Sequence, residues 1–202
     1  LEGYGLSEAT CASSVNPLGG KRKIGSIGIP LSGQQMKIVN DKDKELPPGE
    51  IGEILVKGDV VMKGYYKNPT ATKEALKGDW LHTGDLGYKD EDGYFFIVGR
   101  KKEMIIRGGE NIYPKEIEET LYRHPKVAEA AIVGIPDKVW GEEVAAFIVL
   151  KEGEKLKEDE LILYCKEHLA DYKCPRKVFY WDTLPKTATG KIQKQKILEK
   201  YT

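Results

Sequence analysis

Between Lys23 and Val98 turn-forming residues recur too often for a long helix to fit. Short extended runs, GSIGIP, QQMKIVND, GEIGEILVKG, VVMKGYY and GYFFIVGR, are separated by LPPGE, KNPT and DEDG. Pro, Gly and Asp at such breaks set turn geometry, so the spacing predicts a small β-rich unit. Only ATKEALKGD, residues 71–79, reads as a short helix.

After Gly99 the character changes. GGEN is a turn whose paired glycines can take positive φ, and a helix opens at Pro114, the favoured first helical position. That helix, Pro114 to Tyr122, places Ile117 and Leu121 four apart on one face. VAEAAIVGI and EEVAAFIVL read as two buried strands, and Glu158 to Leu169 as a second helix. Its stripe of Leu161, Ile162, Tyr164, Cys165, His168 and Leu169 is a core pattern. With KVFYW as a further strand, the order predicts a small domain with its helices on one side of a sheet. The expected class is α+β: a β-rich unit over residues 1–99, then an α+β domain over residues 100–202.

Charge narrows the function classes. The 32 Lys and Arg balance 32 Asp and Glu, so no global field favours nucleic acid or an anionic membrane as partner. Cys11, Cys165 and Cys174 form no CxxC pair, and their odd number fits reduced thiols in a cytoplasmic protein. The run from Val144 to Leu150 is far too short to span a bilayer, so no transmembrane segment is expected. The first residue is Leu1 rather than Met, and the chain reads as a piece of something longer.

Four polar clusters stand at turns rather than at periodic core positions: YGLSE at 4–8, WLHTGD at 80–85, GRKKEMIIRGGENIYP at 99–114 and PKTATGK at 185–191. Singly, each has a plain reading. Thr-Gly-Asp serves as a turn, Gly-Arg-Lys-Lys as a solvated strand end, and the lysine-rich stretch as a basic tail. The Thr-Gly turn before Lys191 also lacks the GxxxxGK[ST] spacing of a helix-capping phosphate loop.

Together, in this order, the clusters resemble the C-terminal portion of the adenylate-forming enzyme superfamily. KGYYKNPTATKEAL, WLHTGDLGYKDEDGYFFIVGRKKEMI and GGENIYPKEIEETLYRHPKV look most like fatty acyl-CoA ligases. The resemblance implies ATP and AMP, Mg²⁺ and coenzyme A as cofactors and substrates, with a fatty acid as the carboxylate; the alternatives are a ligase for a short-chain or aryl acid, or a non-catalytic module that keeps the fold. It implies that Tyr4, next to Gly5 in the nucleotide-binding YGLSE motif, stacks on adenine. Ser7 then offers its hydroxyl to the α-phosphate, and Glu8 helps to hold Mg²⁺. Hydroxyl donors suit phosphoryl oxygens, and hard carboxylate oxygens suit magnesium. The family often has Thr where this chain has Ser7, and the hydroxyl survives the exchange.

By the same resemblance Asp85 accepts from the two ribose hydroxyls, and Arg100 reaches the ribose or phosphate region. Lys191 contacts the substrate carboxylate and α-phosphate, offsetting charge that builds up during adenylation. Lys186, Lys194 and Lys196 are expected to raise the positive potential around it. Lys102 matches the hinge about which the small domain turns between half-reactions, and Gly108 and Gly109 face the pantetheine channel in the second pose. The family's Pro-Lys-Gly phosphate loop and the acyl pocket are absent from these residues. The resemblance therefore implies that the piece is inactive alone and that its β-rich half exposes an apolar patch and self-associates.

Overall fold

In the computed structural model, which describes residues 2–201, strands dominate the turn-punctuated first half. Leu1, at which the chain was read as broken, lies outside the described residues. Strands β1 (Gly3–Tyr4), β2 (Ser14–Val15) and β3 (Ile29–Pro30) form a small antiparallel sheet in that order. A second antiparallel sheet starts with β4 (Gln34–Val39), continues through β5 (Gly52–Gly58) and reaches β7 (Trp80–Lys89). Both β6 (Leu76–Lys77) and β8 (Phe95–Arg100) pair with β7. Met36 and Ile38 on β4 and Ile54 and Val56 on β5 recur at the strand period, and they bury one face with Ala9, Leu81 and Phe95.

Three local expectations change. The helix α1 spans Pro69–Ala75 rather than residues 71–79. Asn68 starts it early by accepting from the Ala71 N–H, and Leu76–Lys77 turns back through Gly78 to pair with Leu81 and Trp80. VVMKGYY is a loop, because β5 ends in a turn at Gly58 and the Met62 N–H is taken by the Glu8 carbonyl. GSIGIP contributes only Ile29–Pro30.

The chain divides into two compact units, the first ending at Lys102 and the second beginning at Glu103. The border read from sequence was Gly99, but β8 keeps pairing with β7 as far as Arg100 opposite Asp85, which holds Arg100 in the first unit.

The second unit carries a mixed sheet. Strand β9 (Ile105–Arg107) pairs with β10 (Glu110–Ile112) in a hairpin. Strands β11 (Val127–Asp137) and β12 (Gly141–Leu150) form a long antiparallel pair, and β13 (Lys177–Tyr180) lies parallel to β12. Helices α2 (Pro114–Tyr122) and α3 (Glu158–His168) cover one face, packing Ile117, Leu121, Leu161 and Cys165 on Ala130, Ile132, Val144, Ala146 and Ile148.

Helices on one side only was the expectation, and the structure corrects it. The intervening residues Ala131, Val133, Ile135, Ala145 and Phe147 make the opposite face equally apolar, and α4 (Lys194–Tyr201) covers it with Ile197. On α3 the expected stripe narrows: Leu161 and Cys165 are fully buried, whereas His168 is exposed and bonds to the Tyr164 carbonyl one turn back.

Among the described residues no helix is long and apolar enough to cross a membrane.

Candidate functional site

The first unit brings three of the singled-out side chains together. On β7 the residues Thr83, Gly84 and Asp85 stand opposite Ile54 alone, because Leu55 pairs with His82 and Glu53 with Leu86. The surplus residues bulge out of the ladder and re-aim the strand. Three hydrogen bonds hold the bulge: Thr83 Oγ1 donates to the Ile54 carbonyl at 2.7 Å, Thr83 Oγ1 accepts from Asp85 N–H at 3.1 Å, and Glu53 Oε1 accepts from Gly84 N–H at 3.1 Å.

The bulge presents the Asp85 carboxylate, only 5% exposed, to two donors. Tyr4 Oη–H donates to Oδ2 at 2.6 Å, and Arg100 Nε lies 3.0 Å from Oδ1. Burial, and then the hydrogen bond to Asp85, push the Tyr4 phenol above its ordinary range, so it stays a proton donor at neutral pH.

Gly5 follows at a close backbone approach: a Cβ there would lie 1.5 Å from the Cys11 carbonyl oxygen, so no larger residue fits. Ser7 and Glu8 open a single 3₁₀ turn, Ser7–Ala9, with Ser7 exposed. Tyr65 Oη–H donates to Glu8 Oε1 at 2.9 Å. Among the described residues no three His, Cys, Asp or Glu side chains gather as a metal cage.

Behind Asp85 lies a polar cluster that the sequence reading missed. Glu53 Oε2 is 3.3 Å from His82 Nδ1 and 3.5 Å from Lys101 Nζ, and Lys101 Nζ also reaches Asp41 at 2.9 Å. The pairing with Asp41 is the main influence raising Lys101 above its ordinary pKa. A signal was present: at the strand period Glu53 shares a face with buried Leu55, and an acid at an inward position calls for partners. Lys102, the residue matched to the hinge, is exposed in the 3₁₀ turn Lys101–Glu103 and ends the first unit.

In the second unit Gly108 and Gly109 form the tight connection of the β9–β10 hairpin, between paired Arg107 and Glu110. Their φ values of 59° and 90° suit a two-residue hairpin turn that side chains disfavour. The Gly108 N–H donates to the Trp140 carbonyl at 2.9 Å.

Lys191 closes an ordered turn: Thr187 N–H donates to the Lys191 carbonyl at 2.8 Å, and Thr187 Oγ1 accepts from Lys191 N–H at 3.1 Å. Its side chain is exposed, and no described carboxylate pairs with it. The expected basic surroundings are weaker than the sequence suggested. Lys186 is paired with Glu129, and Lys194 sits between Glu103 at 2.9 Å and Glu118 at 2.8 Å, which cancels their charge locally.

Comparison with known proteins identifies the family. The AMP-binding enzyme model matches residues 1–66, and the model of the AMP-binding enzyme C-terminal domain matches residues 116–191. The chain belongs to the AMP-binding, adenylate-forming enzymes. Among its curated relatives is a long-chain-fatty-acid–CoA ligase of Bacillus subtilis (strain 168), 48% identical across 100% of this chain and 36% of the relative. A sulfoacetate–CoA ligase of Cupriavidus necator is 46% identical across 98% of this chain and 39% of the relative.

Among solved structures, ATP-bound MatB from Rhodopseudomonas palustris superposes with a TM-score of 0.91 at 40% identity, over 98% of this chain and 40% of that one. The o-succinylbenzoate CoA synthetase MenE of Bacillus subtilis, in complex with its acyl-adenylate intermediate, gives 0.90 at 41% identity, over 97% and 40%. The chain thus spans under half the length of each of these four proteins, three of which are CoA ligases or synthetases for different acids.

Proposed function

We propose that this chain is the C-terminal part of an acid–thiol ligase that joins a fatty acid to coenzyme A at the expense of ATP. The observation that carries the reading is the convergence of Tyr4 and Arg100 on the buried carboxylate of Asp85. An ionised carboxylate offers about four acceptor positions, and two are used here, which leaves two for a ribose diol.

In the first half-reaction a carboxylate oxygen of the acid attacks the α-phosphorus of ATP, the bond to the β-phosphate bridge breaks, and pyrophosphate leaves. Asp85 holds the ribose, Arg100 the ribose or phosphate edge, and the Tyr4 ring lies against adenine beside Gly5. Ser7 donates to an α-phosphate oxygen. Glu8, oriented by Tyr65, fits one position of a magnesium ion whose charge offsets that of the phosphates. The ammonium of Lys191, delivered on its ordered turn, balances the negative charge that accumulates at phosphorus.

In the second half-reaction the coenzyme A sulfur attacks the acyl carbon and AMP departs. Lys191 must withdraw before the thiol arrives, and rotation at Lys102 provides this. The Gly108–Gly109 hairpin then lies along pantetheine.

A long-chain fatty acid is supported by the 48% identity to the Bacillus subtilis ligase. A short acid is the second reading, favoured by the sulfoacetate ligase at 46%. Buried free Cys165 and Cys174 support a reducing, cytoplasmic setting, and exposed Leu18 and Ile24 support self-association of the isolated chain.

The experiment is Lys191→Ala in the complete ligase. Acid-dependent pyrophosphate release should fall by about 100-fold or more, the usual scale for one preorganised charge contact. Thioester formation from supplied acyl-AMP should persist within a few-fold. Equal loss of both half-reactions would overturn the assignment of Lys191. A panel of long, short and aryl acids then decides the substrate class.

A further inference from the structure

Glu53 has no role in the chemistry above, yet its carboxylate is buried at the back of the nucleotide-facing cluster. The contacts close a circuit. Glu53 Oε1 accepts from Gly84 N–H at 3.1 Å, Gly84 is bonded to Asp85, Asp85 Oδ1 is 3.0 Å from Arg100 Nε, and Arg100 is bonded to Lys101. Lys101 Nζ returns to Glu53 Oε2 at 3.5 Å. Each oxygen of one carboxylate therefore holds the chain neighbour of a different nucleotide-facing residue.

We propose that Glu53 is a positioning residue, which fixes Asp85 through the Gly84 amide and Arg100 through the Lys101 ammonium. The inference rests on the nucleotide site proposed above.

The physical need is plain. A bulge without an anchor samples other backbone conformations, and the site then pays ordering entropy whenever the ribose binds. The Arg100 side chain, 44% exposed, also has many rotamers. Tying Lys101 to Glu53 and to Asp41 limits the backbone from which Arg100 projects. His82 Nδ1, 3.3 Å away and largely buried, adds a third partner that keeps the Glu53 carboxylate in one rotamer.

Two readouts test this. In the chain itself, Glu53→Ala should accelerate hydrogen exchange at the Gly84 amide by roughly fivefold, the size expected for one hydrogen bond of about 1 kcal/mol. Amides in the centre of β4 should keep their protection. Glu53→Gln, which retains an acceptor for Gly84 N–H, should restore most of the protection.

In the complete ligase, Glu53→Gln and Lys101→Met should each raise the KM for ATP and the Kd for AMP by roughly tenfold, with the KM for the acid and for coenzyme A unchanged. The double variant should be no worse than the weaker-binding single, as groups acting through one link behave. Lys101 is half exposed, so its variant folds even if Glu53→Ala does not. A wild-type ligase that binds no AMP overturns the nucleotide reading and this inference with it. If the wild type binds AMP, variants that bind it equally well, or that lose acid and thiol affinity to the same degree, overturn this inference alone.

Discussion

Replacing Asp85 with Asn changes one oxygen for an amide nitrogen, and the structure allows the cost to be worked out. The carboxylate accepts from Tyr4 at 2.6 Å and lies 3.0 Å from Arg100 Nε, which leaves about two acceptor positions for ribose hydroxyls. Asparagine offers one acceptor oxygen and loses the charge. Its NH₂ cannot accept, so whichever way the amide turns, either the protein donors or the diol lose partners. A hydrogen bond to a charged group contributes about 1.5–3 kcal/mol. Losing one outright and weakening another costs about 2–4 kcal/mol, or roughly 30- to 1,000-fold in AMP affinity. The fold should suffer less, because the Arg100 side chain is 44% exposed and its pairing is worth no more than about 1 kcal/mol. Calorimetric titration of the complete ligase with AMP and with its 2′,3′-dideoxy analogue measures both effects. The wild type should prefer AMP strongly, and Asp85→Asn should bind the two nearly alike. A variant that binds AMP within threefold of the wild type, or that keeps the full preference for the diol, refutes the assignment.

Two further outcomes follow from groups in the second unit. Burial, aided by the positive charges of Lys126 and Lys151, holds His124 below its ordinary value of 6.5, and its Nδ1 accepts from Lys126 N–H in the neutral form. The unfolded state takes up the proton first. His124 therefore contributes stability that is complete above about pH 6.5 and is lost as pH falls towards the lower folded value. The thermal midpoint should drop less between pH 7.5 and 5 in His124→Asn than in the wild type, and equal slopes would contradict the account. Burial pushes the Cys165 thiol up to about 12 and also raises Cys174, whereas Cys11 is exposed. Native protein at pH 8 should therefore show one fast thiol out of three towards a disulfide reagent, and all three after denaturation.

Much of the architecture was legible because it rests on local signals. Pro114 starts α2 at its first position, and paired Gly108 and Gly109 make a hairpin connection that needs positive φ. The alternating Ala and Val residues of β11 and β12 were read as buried strands, but which elements would cover their second face was not encoded nearby. Leu184 and Ile197 reach that face from far along the chain, and periodicity within a window cannot see such pairing. The same limit explains Lys194. Lys191 and Lys196 lie within three residues of it in sequence, while its partners Glu103 and Glu118 come from other elements. Among the candidate residues, Arg100 in the first unit and Lys191 in the second are exposed and were visible within polar clusters at turns. Glu53 was hidden inside a run that reads as an ordinary strand.

The identity to relatives with dissimilar acids bears on what these residues do. A long-chain-fatty-acid ligase and a sulfoacetate ligase differ in substrate about as much as two carboxylates can, in length, polarity and charge. This chain is nevertheless 48% identical to one and 46% to the other over almost all of its length. Side chains that had to fit either acid would be under opposed demands, apolar in one case and cationic in the other. Residues serving the nucleotide and the thiol face the same demand in both. On the function proposed above, the second kind includes the backbone bulge locked by Thr83 and Glu53, the glycine with no room for a Cβ at position 5, and the lysine on a turn closed by the Thr187 hydroxyl. Exchanging the segments that match this chain between the two ligases should therefore leave the acid preference of each with the remainder of its chain. A preference that travelled with the exchanged segment would place acid recognition in this chain and remove the reason for reading it as the nucleotide and thiol half.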